Sequence, residues 1–172
     1  MLQQSLDLLL QEAVEKKEKI IEDLIQIIGS SKEERTISKI GFVLVDHFKD
    51  VKIEEVLTQL IADPAWQNRN GTFLYLLSEY STDSKYLYFL IELLLNNEND
   101  GEIYMGAYSM IINLCPPFDE NEITKSLQRL KKEEKKENNN IEKNQLIHSL
   151  SDFLEGQRNI AKFYSQFNKI LT

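Results

Sequence analysis

The stretch LTQLIADPAWQNRNGTFLYLLSEY, residues 57–80, decides the fold. It reads as the end of one helix, a corner at Asp63-Pro64, and a second helix. Asp63 suits an N-cap, where its carboxylate can accept a backbone N–H, and Pro64 suits the first helical position, where its missing N–H costs nothing. Upstream, Ile53, Val56, Leu57, Leu60 and Ile61 share one helical face; downstream, Trp66, Phe73, Leu74, Leu77 and Tyr80 share another. The unit is therefore a helical hairpin.

The same grammar extends in both directions. Leu6, Leu9, Leu10 and Ala13, then Ile21, Leu24, Ile25 and Ile28, predict one long helix over about 2–28, ended by Gly29. Ser31 and Glu34 have capping-box spacing before a helix carrying Ile37, Ile40, Leu44 and Phe48 inward. Beyond the turn-forming cluster 81–84, residues 84–96 are apolar almost all round and predict the most buried element. Ile103, Ala107, Met110, Ile111 and Leu114 mark the next helix, which Pro116-Pro117 stop. Asp119 and Glu122 have capping-box spacing for a helix with Ile123, Leu127 and Leu130 inward, running into KKEEKKENNN as a protruding helix end and polar loop. Two helices follow, around 140–155 (Leu146, Ile147, Leu150, Phe153, Leu154) and 158–171 (Ile160, Phe163, Tyr164, Phe167, Ile170), with Gly156 between them. Two-residue alternation is not sustained anywhere, so the expected class is all-α, without strands.

Composition agrees. The 172 residues fit one domain and are enough for a core without staples. With six Gly and three Pro, helix formers dominate. Cys115 stands alone, in an apolar run, and is expected to be a buried free thiol in a reducing compartment. The N-terminus lacks the basic start and cleavage site of a signal peptide, and its apolar run is too short to span a bilayer, so a cytoplasmic location without membrane insertion is expected. Net charge is −8, and residues 46–103 alone carry −7 through eleven acids and four bases. A negative middle disfavours nucleic acid and anionic lipid and attracts a basic partner.

Gly41, Gly71 and Gly106 recur 30 and 35 residues apart, each early in the second helix of a hairpin. A mid-helix glycine costs roughly 1 kcal/mol against alanine, so its recurrence at one phase suggests close helix approach. Two residues before these glycines stand Lys39, Arg69 and Tyr104, and six before those stand Glu33, Asp63 and Glu98. Asp63-Pro64 with Arg69 resembles the HEAT and HEAT-like repeat family, in which an apolar first helix ends in Asp-Pro and an Arg follows beside small residues. The other copies depart from it: Glu33/Lys39 keeps the charges and Glu98/Tyr104 loses the base. The resemblance covers about residues 10–155. It implies a right-handed alpha-alpha superhelix of about four HEAT-like helical hairpins over residues 1–172, with capping helices and second helices on the concave side. It also implies that Asp63 and Arg69 are structural. NRNGTFLYLL is similar to segments of small bacterial HEAT-like proteins, some of them immunity proteins that neutralise toxins. A compact irregular helical bundle would use the same periodicities.

No residue set marks catalysis. His47 and His148 lie a hundred residues apart without a second ligand within helical reach, and no phosphate-binding loop is present. Neither catalytic residues, nor a metal site, nor a cofactor is expected. Acidic pairs cluster in first helical turns, where the helix dipole accounts for them. What remains is a protein-binding surface, for which the candidates are Trp66, Arg69, Asn70, Tyr75, Glu79, Asp100, Glu102 and Tyr104, with Trp, Tyr and Arg the types that anchor interfaces. Trp66 also suits the core and Arg69 a carboxylate partner. The expected function is a non-enzymatic scaffold that binds a basic protein through an acidic second-helix face, an immunity protein facing a toxin being the sharpest version. A self-associating adaptor subunit is the alternative, suggested by the long N-terminal helix, and a HEAT-like enzyme acting on nucleic acid is disfavoured by charge.

Overall fold

The computed structural model describes the backbone of residues 2–48, 51–66, 70–97, 101–136 and 141–171, and their side chains outside 2–13, 51, 161 and 164–171. Among these residues the regular structure is helical: α1 (Leu2–Ser30), α2 (Glu34–His47), α3 (Val51–Ala62), α4 (Gly71–Tyr80), α5 (Leu87–Asn96), α6 (Gly101–Ile112), α7 (Glu120–Glu134) and α8 (Ile141–Leu171). Single 3-10 turns stand at Pro64–Trp66 and Ser84–Tyr86, and an isolated bridge joins Asp83 to Cys115. The chain divides into two compact units, Met1–Ser81 and Thr82–Thr172.

In the first unit α1 packs on α2 and α3 on α4, while α2 also meets α4 and α1 meets α3. The core comprises Ile21 and Ile28 of α1, Ile37, Leu44 and Val45 of α2, Ile53, Leu57, Leu60 and Ile61 of α3, and Phe73, Leu74, Leu76 and Leu77 of α4. Gly41 explains how α2 approaches α4: a Cβ there would stand 2.5 Å from Leu76 Cδ1, and Leu76 is fully buried. Close approach, inferred from recurrence, has a concrete partner at this glycine.

In the second unit α5 packs on both α6 and α7, and α7 packs on α8. Six of the ten residues of α5 are buried, as its all-round apolar sequence predicts. Ile103, Ala107, Met110, Ile111 and Leu114 close over it from α6 and the turn after it, and Ile123, Leu127 and Leu130 from α7. Asp119 caps α7, its Oδ1 accepting from Asn121 N at 2.8 Å and from Glu122 N at 3.1 Å.

Four local expectations are corrected. Helix α1 runs through Gly29 to Ser30. Glu33, not Ser31, precedes α2 as its cap and makes no side-chain cap bond; its Oε2 accepts from Thr36 Oγ1 at 2.6 Å, and Ser31 Oγ accepts from Glu33 N. Asp63 caps only the turn at Pro64–Trp66, accepting from Ala65 N at 2.9 Å, and α4 starts at Gly71 with Asn70 before it. The two expected C-terminal helices are one, since Gly156 lies inside α8. Glycine weakens a helix by about 1 kcal/mol but removes no hydrogen bond, so it does not end one where the flanking turns hold.

Candidate functional site

The predicted surface residues divide sharply by burial. Trp66 is buried at 7%, its ring edge-on to Phe73 at 5.4 Å and 81°, so it belongs to the core of the first unit. Asn70 is buried at 2%; its Nδ2 donates to the Ile61 carbonyl at 2.7 Å and ties the start of α4 to the end of α3. Its Oδ1 has no partner among the described residues. Arg69 and Asp100 lie outside the described residues. Tyr104 is half-buried, and Glu102 is exposed in the first turn of α6.

Tyr75 and Glu79 remain, both exposed and one turn apart on α4. Tyr75 is not isolated. Its ring lies 6.1 Å from that of Phe42 on α2, and the two are 52% and 41% exposed, with Val43 beside them at 42%. An uncovered aromatic pair thus sits where α2 and α4 meet, just above the Gly41–Leu76 contact. Sequence reasoning missed Phe42 and Val43. Their signal was present, because Ile37, Gly41, Leu44 and Val45 take the inward positions of α2 and leave Phe42 and Val43 on its outer side. Exposed Arg35, Lys39 and Asp46 continue the outer stripe of α2. The outer side of α6 also carries large apolar side chains, Met105 and Ile112, at 56% and 44% exposure.

The described acids of the middle third are spread over several elements. Asp46, Glu79 and Glu102 are on second helices, Glu54, Glu55 and Glu92 on first helices, and Asp63 and Asp83 in turns. Charge is concentrated instead where the sequence suggested a helix end and polar loop, at the end of α7. Glu133, 3% exposed on α7, accepts from Arg129 Nη1 at 2.8 Å and from Lys143 Nζ at 2.9 Å, and pairs with Lys136 Nζ at 2.8 Å. Lys143 is itself 2% exposed, and Arg129 Nε reaches Glu92 Oε1 on α5 at 2.9 Å. Burial pushes the Glu133 carboxyl up, but hydrogen bonds from Lys136, Arg129 and Lys143 outweigh it and hold it down to about 2. The cluster ties α5, α7 and α8 together and leaves its carboxylate saturated with donors. The sequence signal is the spacing of Lys143 with Ile147, Leu150 and Leu154, which puts a lysine on the buried stripe of α8.

Among the described residues nothing else offers a reactive constellation. An open pocket of about 320 Å3 in the second unit is lined by Asp83, Ser84, Lys85, Pro117, Phe118 and Asp119. Its two carboxylates already act as caps, Asp83 Oδ1 accepting from Lys85 N at 2.9 Å. Cys115 is exposed, against expectation: its N–H donates to the Thr82 carbonyl at 2.8 Å, and that pairing holds the segment at the surface before the two prolines. His47 and His148 are exposed, and no group of three metal-ligating side chains occurs among the described residues. Among the same residues no helix is long and apolar enough to cross a membrane. No family model, no curated protein and no solved structure matches this chain.

Proposed function

We propose that the protein is a non-enzymatic binding scaffold whose helical hairpins stack as a HEAT-like right-handed solenoid and whose second helices take up a basic protein partner. One observation carries this reading: the exposed Phe42–Tyr75 pair on adjacent second helices, with Val43 and Glu79 beside it. Aromatic side chains lose little conformational entropy on binding and contribute large contact area, which is why they anchor interfaces. The stacking is supported within each unit by first helices meeting first helices, α1 with α3 and α5 with α7, and by α2 meeting α4. The net charge of −8 supplies long-range attraction for a basic partner, of which a toxin domain is the sharpest version.

The test is affinity capture from the native cell followed by reconstitution with the purified partner. Phe42→Ala with Tyr75→Ala is expected to weaken binding roughly tenfold or more, with unchanged helicity. Raising salt is expected to slow association more than it speeds dissociation. Full binding by the double variant would remove the proposal.

A further inference from the structure

A helix with one face in a core normally turns charged side chains to the other. In α6 this does not happen. Among its twelve residues Glu102 alone is charged, in a chain that is 28% charged. Its outer face carries Met105 and Ile112, seven residues apart and therefore one above the other, at 56% and 44% exposure. Both lie roughly 140–180° around the helix from the buried Ile103, Ala107 and Met110, at about 100° per residue. The core of the second unit therefore accounts for neither. Half-buried Tyr108 stands between them along the axis. Met adapts its shape to a partner and Tyr anchors interfaces, so the stripe has the composition of a contact surface.

The border of this face is acidic. Tyr108 Oη lies 3.4 Å from Ser149 Oγ, so α8 adjoins α6 along the Tyr108 side. Exposed Glu142 and Asp152 lie within about 60° of Ser149 around α8. Glu102 borders the stripe at the start of α6. No Lys or Arg stands on α6, nor on the Ser149 side of α8 over residues 142–156. Asp152 is 3.8 Å from His148 Nε2, which offsets its charge only when that imidazole is protonated. An apolar stripe bordered by carboxylates favours a partner that is apolar in the middle and cationic at its edges. Anionic lipid is repelled by such a border, and a second copy of net charge −8 is repelled as well. The spacing of Met105, Tyr108 and Ile112 is that of a helix ridge, which packs best against another helix.

We propose that the outer face of α6 takes up a basic amphipathic helix of a protein partner. The apolar residues of that helix lie against Met105, Tyr108 and Ile112, and its Lys or Arg side chains face Glu102, Glu142 and Asp152. This rests on the reading of the protein as a scaffold for a basic partner, and adds to it a contact surface in the second unit and the structure the partner presents there.

The test uses the full chain with isotope-labelled methionine methyls and a synthetic helix of about 20 residues, long enough to be helical alone. The probe has Leu along one face and Lys elsewhere; its counterpart has Glu for every Lys. The Lys helix is expected to bind and to shift the NMR signal of the exposed Met105 methyl, and the Glu helix to leave it in place. Fluorescence anisotropy of the labelled Lys helix gives the affinity. Met105→Gln/Ile112→Gln keeps the charge and is expected to weaken binding about tenfold or more at unchanged helicity. Glu102→Gln/Asp152→Asn is expected to weaken it about threefold and to flatten its salt dependence. Phe42→Ala/Tyr75→Ala is expected to leave the Met105 response unchanged, so that failure of the α2–α4 contact and failure of this one are read separately. A Met105 methyl that does not respond to the Lys helix overturns the inference, as does equal binding of the two helices or full binding by Met105→Gln/Ile112→Gln. Self-association, or sedimentation with phosphatidylserine vesicles, that Met105→Gln/Ile112→Gln abolishes would give the face to a second copy or to lipid, and overturns it too.

Discussion

At the scale of single residues, two side-chain positions control how the helices meet. Gly41 lets α2 reach Leu76, and any Cβ there would collide with a methyl group that is fully buried. Gly41→Ala gains about 1 kcal/mol of helix propensity but overpacks a closed contact, which typically costs about 1–3 kcal/mol. Net destabilisation is expected in urea melts, and Gly41→Ala with Leu76→Ala should recover part of it; purely additive losses would deny the contact. Glu133 is the second position. Removing it as Glu133→Ala takes the shared buried carboxylate from Lys143 and Arg129 and is expected to cost about 3–5 kcal/mol, whereas Lys143→Met leaves Glu133 with Arg129 and Lys136 and should cost far less. Because the folded carboxyl sits at about 2 against an ordinary 4.5, its contribution is present above about pH 4.5 and is lost as pH falls through about 2. Urea midpoints of the wild type should therefore fall more steeply across that window than those of Glu133→Gln.

At the scale of elements, the corner between α3 and α4 and the continuity of α8 matter most. Asp63-Pro64 does start a helical turn, but it is the 3-10 turn Pro64–Trp66 rather than α4, and the Trp66 ring stands edge-on to Phe73. Burial of Trp66 and the Asn70–Ile61 bond decide where α4 begins, and neither can be read from local propensity. In α8, Gly156 is exposed and has no atom within 4 Å of a built Cβ. Gly156→Ala is expected to stabilise the protein by about 0.5–1 kcal/mol, visible as a higher thermal midpoint by circular dichroism. A loss of stability would mean that the helix needs to bend there.

At the scale of the molecule, each unit has its own core, and the only tryptophan, Trp66, lies in the first. Its fluorescence reports that unit alone, while circular dichroism reports both. In the proposed solenoid, stability is a sum over neighbouring repeats, so damage is felt most near its site. Glu133→Ala, in the second unit, is accordingly expected to lower the dichroism midpoint more than the fluorescence midpoint. Equal shifts would indicate a single cooperative transition.

The sequence by itself determined the helical class, most inward positions from Ile21 to Leu154, the Asp119 cap of α7 and the prominence of α5. These depend on period and local hydrogen bonding, which a chain carries along its length. It also singled out Tyr75 and Glu79 as a stripe apart from the buried Phe73 and Leu77. Only the tertiary structure paired Tyr75 with Phe42, placed Asn70 inside, turned Cys115 outward and buried Glu133 with Lys143. The reason is common to all of these. Whether a polar or aromatic side chain faces water depends on which helix lies opposite, and one charged residue of an otherwise exposed run can be buried when three donors converge on its carboxylate. Spacing along one helix fixes its faces; only the neighbouring helices fix which of them is covered.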